Sequence, residues 1–310
     1  MSRVPPPGIY VPAILFFTED EEFDVPAIKA HVLRLAKGGV TGILVQGSNG
    51  EAQHLSHEER IRVITLTRET LDENGFRSVL VIAGTGAQST RETKKLCQDA
   101  HAAGASHALV LTPSTWPKLM SVENILRFHR EVADASPIPT MVYNFPTVTA
   151  GQDLDSDIIS ALAVHPNIVG TKLSCGNMGK LHRLTTKFAP TDFAVFAGRS
   201  DLLLQGLTSG SCGAMAALVN LLPKHHSCLY SLWGEGKLKE AMKIQAQFAH
   251  ADWAISKIGG IGGIKAVVSK HWGYGNGIVR GPLEGVDINR LANDRNYKVL
   301  ETLIANEKAM

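Results

Sequence analysis

Cysteine is scarce, aromatic residues are few and charge of neither sign dominates. The four cysteines among 310 residues (Cys97, Cys175, Cys212 and Cys228) show no Cys-x-x-Cys spacing, which excludes a zinc ribbon or a disulfide framework as the source of stability. Lys and Arg total 31 against 29 Asp and Glu, a net charge of only +2, and no basic run or aromatic–basic patch occurs, so no nucleic-acid partner is expected. The longest apolar stretches, such as residues 9–17, fall far short of the ~20 residues of a spanning helix. Near the N-terminus there is neither a charged segment leading into an apolar run nor an Arg/Ser-rich amphipathic leader. The expected address is the reducing cytosol, away from membranes.

What is present is a regular alternation of short apolar runs and longer amphipathic segments. The runs at 8–17, 42–46, 79–84, 108–112, 140–144, 168–173, 193–197 and 213–216 read as strands, several of them apolar on both faces as in a covered parallel sheet. Between them lie helices with start and stop signals. Ser56 and Glu59 form a capping box ahead of residues 61–71, with Gly75 as terminator. Residues 25–36 end on Gly38-Gly39, and 93–103 on Gly104. Eight such units predict an α/β protein, a (β/α)8 barrel over residues 1–234. Residues 235–310 read as a helical extension packed on the barrel as one structural unit, with helices at 238–258, 264–271 and 291–305. An open nucleotide-binding sheet is disfavoured, because Gly84-Thr85-Gly86 lacks the third glycine of a dinucleotide fingerprint.

In a parallel barrel, chemistry is built at the C-terminal ends of the strands. There the sixth predicted strand carries Lys172, an isolated lysine in a segment expected to be buried on both sides. Such a lysine must find an anionic partner, reach the barrel mouth, or lose its proton. An amine lowered to a pKa of ~7–8 is a nucleophile suited to Schiff-base formation with a 2-oxo acid. Tyr143 ends the neighbouring strand, so its phenol can share the cavity and move protons; its alternative is a core tyrosine with a satisfied hydroxyl. Gly47-Ser48-Asn49-Gly50 sets two small polar side chains between glycines at a strand-to-helix turn, where converging N–H groups can grip a carboxylate. His54 and His57 lack a carboxylate placed by spacing, so a metal-dependent reaction is disfavoured, and His225-His226 read as surface residues at a helix start. Gly259-Gly260-Ile261-Gly262-Gly263 reads as a hinge between helices, since no Lys-Ser/Thr follows it.

Together, Gly47-Ser48-Asn49-Gly50-Glu51, Tyr143-Asn144-Phe145-Pro146 and Gly170-Thr171-Lys172 resemble the three signatures of the dihydrodipicolinate synthase/N-acetylneuraminate lyase family, in order and from about Tyr10 to Leu283. The resemblance implies a (β/α)8 barrel with C-terminal helices, usually a homotetramer, and a class I mechanism using neither metal nor organic cofactor. Lys172 matches the Schiff-base lysine, Tyr143 the proton-transfer tyrosine, and Ser48 with Asn49 the substrate-carboxylate pair, joined there by Gly47. Ser174 and Gly198 match substrate-contacting positions of related 4-hydroxy-2-oxo acid aldolases.

Two departures bear on the reaction. Synthases that condense pyruvate with aspartate semialdehyde carry an arginine where this chain has Val148, and a tyrosine pair where it has Ser114 and Thr115. A second substrate carboxylate would lose charge-assisted bonds there, about 1.5–3 kcal/mol each. The Gly-Ser-Asn-Gly-Glu form instead resembles aldolases of 4-hydroxy-2-oxoglutarate and of 2-keto-3-deoxy sugar acids. The expectation is therefore a carbon–carbon lyase that cleaves a small 4-hydroxy-2-oxo acid to pyruvate and an aldehyde. The alternatives are the synthase reaction, a non-catalytic 2-oxo acid sensor, and a phosphate-binding barrel using Gly198-Arg199-Ser200.

Overall fold

Each apolar run followed by an amphipathic helix becomes one β/α unit in the computed structural model, which describes residues 4–310. The strands are β1 (Gly8–Pro12), β2 (Gly42–Val45), β3 (Leu80–Gly84), β4 (His107–Leu111), β5 (Thr140–Asn144), β6 (Ile168–Leu173), β7 (Ala194–Ala197) and β8 (Gly213–Met215). Neighbours in sequence pair in parallel, and β1 pairs with β8, so the sheet closes into the expected (β/α)8 barrel. The covering helices are α1 (Val25–Lys37), α2 (His57–Glu73), α3 (Thr90–Ala102), α4 (Val122–Ala135), α5 (Ser156–Ala163), α6 (Met178–Lys187), α7 (Leu203–Thr208) and α8 (Pro223–Gly234). Three more follow: α9 (Leu238–Lys257), α10 (Gly260–Trp272) and α11 (Arg295–Ala309). Of the glycine run only Gly259 stands between α9 and α10; residues 260–263 form the first turn of α10, which starts four residues earlier than expected, so the run is a helix start rather than the expected hinge.

Local chemistry accounts for the helix ends. Both halves of the capping box form, with Ser56 Oγ accepting from Glu59 N and Glu59 returning the bond to Ser56 N. Ser89 caps α3 three residues earlier than the apolar pattern suggests, and Asp294 starts α11 later than residue 291.

The pleat sorts side chains into two layers. Tyr10, Leu44, Ile82, Leu109, Met141 and Phe196 fill the barrel, while Ile43, Val45, Val81, Val110 and Val142 pack outward against the helices. At the β1–β8 seam, Gly213 has φ +138°, and a Cβ there would meet Gly8 O at 1.9 Å. Gly213→Ala should therefore destabilise the protein by about 1–3 kcal/mol through backbone strain and overpacking. Thermal unfolding checks this; an unchanged Tm would mean the seam relaxes at no cost.

Two further expectations are corrected. The first strand ends at Pro12 rather than residue 17, because Ile14 N donates to the Asn220 side chain (3.1 Å) instead of to a neighbouring strand. Residues 13–17 are apolar because C-terminal segments cover them: Phe16 packs edge-on to Tyr274, and Phe17 lies under Lys265 and Arg280. His225 and His226 are buried, not on the surface. His225 pairs with the buried Glu307 of α11, and His226 bonds Leu222 O and Ser200 Oγ while stacking on Phe248. The helix start they occupy faces the C-terminal helices, which the local pattern did not indicate.

Burial pushes His226 down to about 4, and His31 and His129 down to about 3. The unfolded chain binds these protons near pH 6.5 and the folded chain does not, so stability is full above that pH and is lost on acidification toward 3–4. Linkage gives about 2 kcal/mol lost per histidine at pH 5 relative to pH 8. Asp252, raised to about 6 by burial, acts oppositely and offsets on the order of 1 kcal/mol of this. Urea unfolding should therefore show several kcal/mol less stability at pH 5 than at pH 8; equal values would mean these histidines are not held neutral.

Candidate active site

A cavity of about 340 Å³ opens at the C-terminal end of the barrel, lined among others by Gly47, Ser48, Gln88, Ser114, Tyr143 and Val148. Two of its walls come from the strand-end motifs. After β2 the chain enters a single 3-10 turn, Ser48–Gly50, with Gly47 as its N-cap. Gly50 N bonds Gly47 O (3.0 Å) and Ala52 N bonds the same oxygen (3.3 Å), while the Ser48 and Asn49 N–H groups have no acceptor among the described residues.

Tyr143 reaches the cavity from β5. Its hydroxyl lies 3.3 Å from Ser48 Oγ, and its ring stacks on Phe145 at 5.7 Å between centroids. Lys172 is the register partner of Tyr143 on β6, with Nζ 4.2 Å from the centre of the tyrosine ring. A bulge brings these two together. Thr140 pairs with Ile168 but Met141 pairs with Gly170, so Val169 is an extra residue and the in/out alternation of β6 reverses there. Ile168 consequently faces the helices, whereas Lys172 faces the interior. Lys172 is 2% exposed, is not itself among the cavity-lining residues though it touches Tyr143, which is, and takes part in no ion pair among the described residues. Of the explanations for a buried lysine, a carboxylate partner is thereby removed.

Asn49 sits half-buried on the turn beside Ser48. Ser174 and Gly198 meet at the ends of β6 and β7: Gly198 N bonds Leu173 O (2.8 Å), and a Cβ on Gly198 would meet Ser174 Oγ at 2.2 Å. Neither lines the cavity. Arg199 is held by Asp201 (2.6 Å) and Asp252 (3.3 Å), and Ser200 by His226, so the rival phosphate site after β7 has its polar groups already engaged. His54 approaches Glu51 (3.4 Å) and His57 pairs with Glu92, so the two point to different partners.

Several residues escaped the sequence reading. Gln88 Oε1 accepts from Ser114 N (2.8 Å), Thr115 N (2.9 Å) and Thr115 Oγ1 (2.8 Å), fixing the loop after β4 at the cavity rim. Asn144 of the Tyr-Asn-Phe-Pro motif donates to Asp153 (2.7 Å), which also pairs with the buried Lys180 and so anchors the loop after β5. Arg60, buried on α2, donates to Ala52 O and to Gly84 O (3.4 Å) beneath the turn. Its only sequence signal is a charge on the apolar face of the helix.

The dihydrodipicolinate synthetase family profile matches residues 5–294. The chain belongs to this family. It is 49% identical over 269 residues, 87% of this chain and 86% of the other, to a protein of Emericella nidulans named probable 4-hydroxy-2-oxoglutarate aldolase, mitochondrial. It is 42% identical to an L-threo-3-deoxy-hexylosonate aldolase of Hypocrea jecorina, with 93% of each chain covered. The crystal structure of YagE from Escherichia coli K12, a prophage protein of the same family in complex with pyruvate, superposes with a TM-score of 0.85 at 29% identity, covering 97% of this chain and 98% of the other. The family expected from the three motifs is the one found, and the reading as a carbon–carbon lyase agrees with these relatives. Among the described residues no helix is long and apolar enough to cross a membrane.

Proposed function

We propose that this family member is a class I aldolase that reversibly cleaves a 4-hydroxy-2-oxo acid, either 4-hydroxy-2-oxoglutarate or a 2-keto-3-deoxy sugar acid, to pyruvate and an aldehyde. The observation that carries the reading is a buried lysine without an anionic partner among the described residues, its amine against the ring of a tyrosine whose hydroxyl reaches Ser48 at the cavity wall. The turn at residues 47–50 grips the C1 carboxylate with the Ser48 and Asn49 N–H groups. The Lys172 amine attacks C2, and loss of water leaves an iminium. Electrons of the C3–C4 bond flow into that iminium as the Tyr143 hydroxyl takes the C4 hydroxyl proton and hands its own to Ser48, which passes one on to water; the same relay later returns a proton to C3. The aldehyde departs, the enamine is reprotonated at C3, and water releases pyruvate from Lys172. Ser174 and Gly198 are assigned to the substrate side on the family resemblance alone. No metal or organic cofactor enters any step.

The synthase alternative is weakened by the cavity wall. Val148 lines it where a cation would be needed, and among the described residues no lysine or arginine lines it. Pyruvate bound in YagE supports the 2-oxo acid half. Four free cysteines suit a reducing compartment, and we place the protein in the cytosol; because the Emericella relative is named mitochondrial, cell fractionation decides between cytosol and matrix. A homotetramer is proposed from the resemblance, and light scattering in solution tests it.

The deciding experiment is intact mass after incubation with pyruvate and sodium borohydride, for wild type and Lys172→Ala. A reduced adduct on wild type alone supports the Schiff base, and a screen of 4-hydroxy-2-oxo acids then names the substrate. An unmodified wild type ends the aldolase reading and brings the sensor forward.

A further inference from the structure

Glu51 closes the Gly47–Gly50 turn in a left-handed backbone conformation (φ +51°) that a non-glycine residue adopts only when its surroundings hold it there. What holds it comes from the far end of the chain. Its carboxylate is fully buried and pairs with Lys265 of α10, itself fully buried, and accepts from Arg280 N at 2.9 Å. Lys265 has a second anchor, donating to Ile278 O at 2.7 Å, and its amine lies 4.4 Å from the Phe17 ring centre. Arg280 then ties the same region to the barrel, donating to His54 O (2.8 Å), to Glu59 of the α2 capping box (2.8 Å) and to Glu21 O (3.1 Å). Ile261 and Leu283, which flank these two cations in sequence, line the cavity itself.

We propose that Lys265 is a positioning residue for the carboxylate-binding turn, acting through Glu51, so that the C-terminal helices are a working part of the active site. The proposal rests on the carboxylate grip assigned above to the Ser48 and Asn49 N–H groups. Glu51 N bonds Ser48 O (3.2 Å) and Ala52 N bonds Gly47 O (3.3 Å), so the backbone at Glu51 holds the planes of the two peptides that carry the Asn49 and Ser48 N–H groups. Without Lys265 a carboxylate is left buried with one backbone donor and a histidine at 3.4 Å, and the cheapest relief is to rotate Glu51 toward water. That rotation turns the two N–H groups away from the ligand. Burial also pushes the Lys265 amine down to about 8 against the pull of Glu51. A lysine held in such a site at that cost marks a position where geometry is being enforced.

The substrate carboxylate is held equally in ground and transition states, so the defect should appear in binding and not in chemistry. The probe is pyruvate. For Lys265→Met, the pyruvate concentration giving half-maximal borohydride trapping on Lys172 should rise about 10–100-fold, as expected for loss of one or two charge-assisted hydrogen bonds. The trapping rate at saturating pyruvate should stay within about threefold of wild type. The double variant Glu51→Gln/Lys265→Met, which leaves no buried unpaired charge and keeps an acceptor for Arg280 N, should recover most of the affinity. Should Lys265→Met not fold, Glu51→Gln keeps the side-chain shape and carries the same expectation for half-saturation. A folded Lys265→Met or Glu51→Gln single variant that traps pyruvate with wild-type half-saturation, or that loses the saturating rate while keeping half-saturation, overturns the proposal. Wild-type protein without any pyruvate adduct overturns the aldolase reading instead, so the two failures are distinct.

Discussion

Lys172→Ala is expected to abolish turnover of every 4-hydroxy-2-oxo acid while the barrel stays folded. The amine is the only group in the proposed mechanism that becomes covalently joined to substrate, and among the described residues no other lysine lines the cavity to replace it. Truncation removes buried methylenes, which destabilises, and also a buried amine that lacks an anionic partner, which relieves a desolvation cost. The two effects oppose each other, so circular dichroism and a cooperative melt should survive. Residual activity at the level of wild type would show that another residue carries the carbonyl chemistry. Added amines offer a further check, since partial rescue requires the vacated space to open onto the substrate.

Tyr143→Phe should lower kcat for cleavage by about 10²–10⁴-fold, the usual worth of a positioned acid–base group. The ring remains, so its stacking on Phe145 and its contact with the Lys172 amine persist, and only the hydroxyl that reaches Ser48 is lost. The Schiff base with pyruvate should still form and be trapped, because that adduct needs the lysine and the carboxylate grip. Cleavage of the C3–C4 bond is what slows, for want of a proton acceptor at the C4 oxygen. Single-turnover measurements separate the two steps. A change below about threefold in kcat/KM would remove Tyr143 from the proton path and point to Ser48 or a solvent route.

The parts of the site that local chemistry determines were legible before any coordinates. A capping box, glycine terminators and parallel-strand apolar runs are short-range signals, and they predicted the eight β/α units with errors only at element ends. The motif Gly47–Glu51 announced a turn, and Lys172 stood out because an isolated lysine in an apolar run needs a reason. What failed were inferences about long-range cover. Residues 13–17 read as strand because they are apolar, and His225-His226 read as surface because they begin a helix. In both cases the partners lie far along the chain, in α9 to α11 or the segments joining them.

The sequence by itself therefore determined the barrel, the family and the residue types of the proposed Schiff-base site, because each depends on periodicity and on motifs a few residues long. Only the tertiary structure decided which way Lys172 points. Strict alternation from Ile168 would turn it toward the helices, and the extra residue at Val169 turns it inward beside Tyr143. Only the tertiary structure, likewise, joined Glu51 to Lys265 across 214 residues. Neither is written in any local pattern: a register shift exists only between two strands, and a buried charge chooses its partner only after folding has excluded water from both.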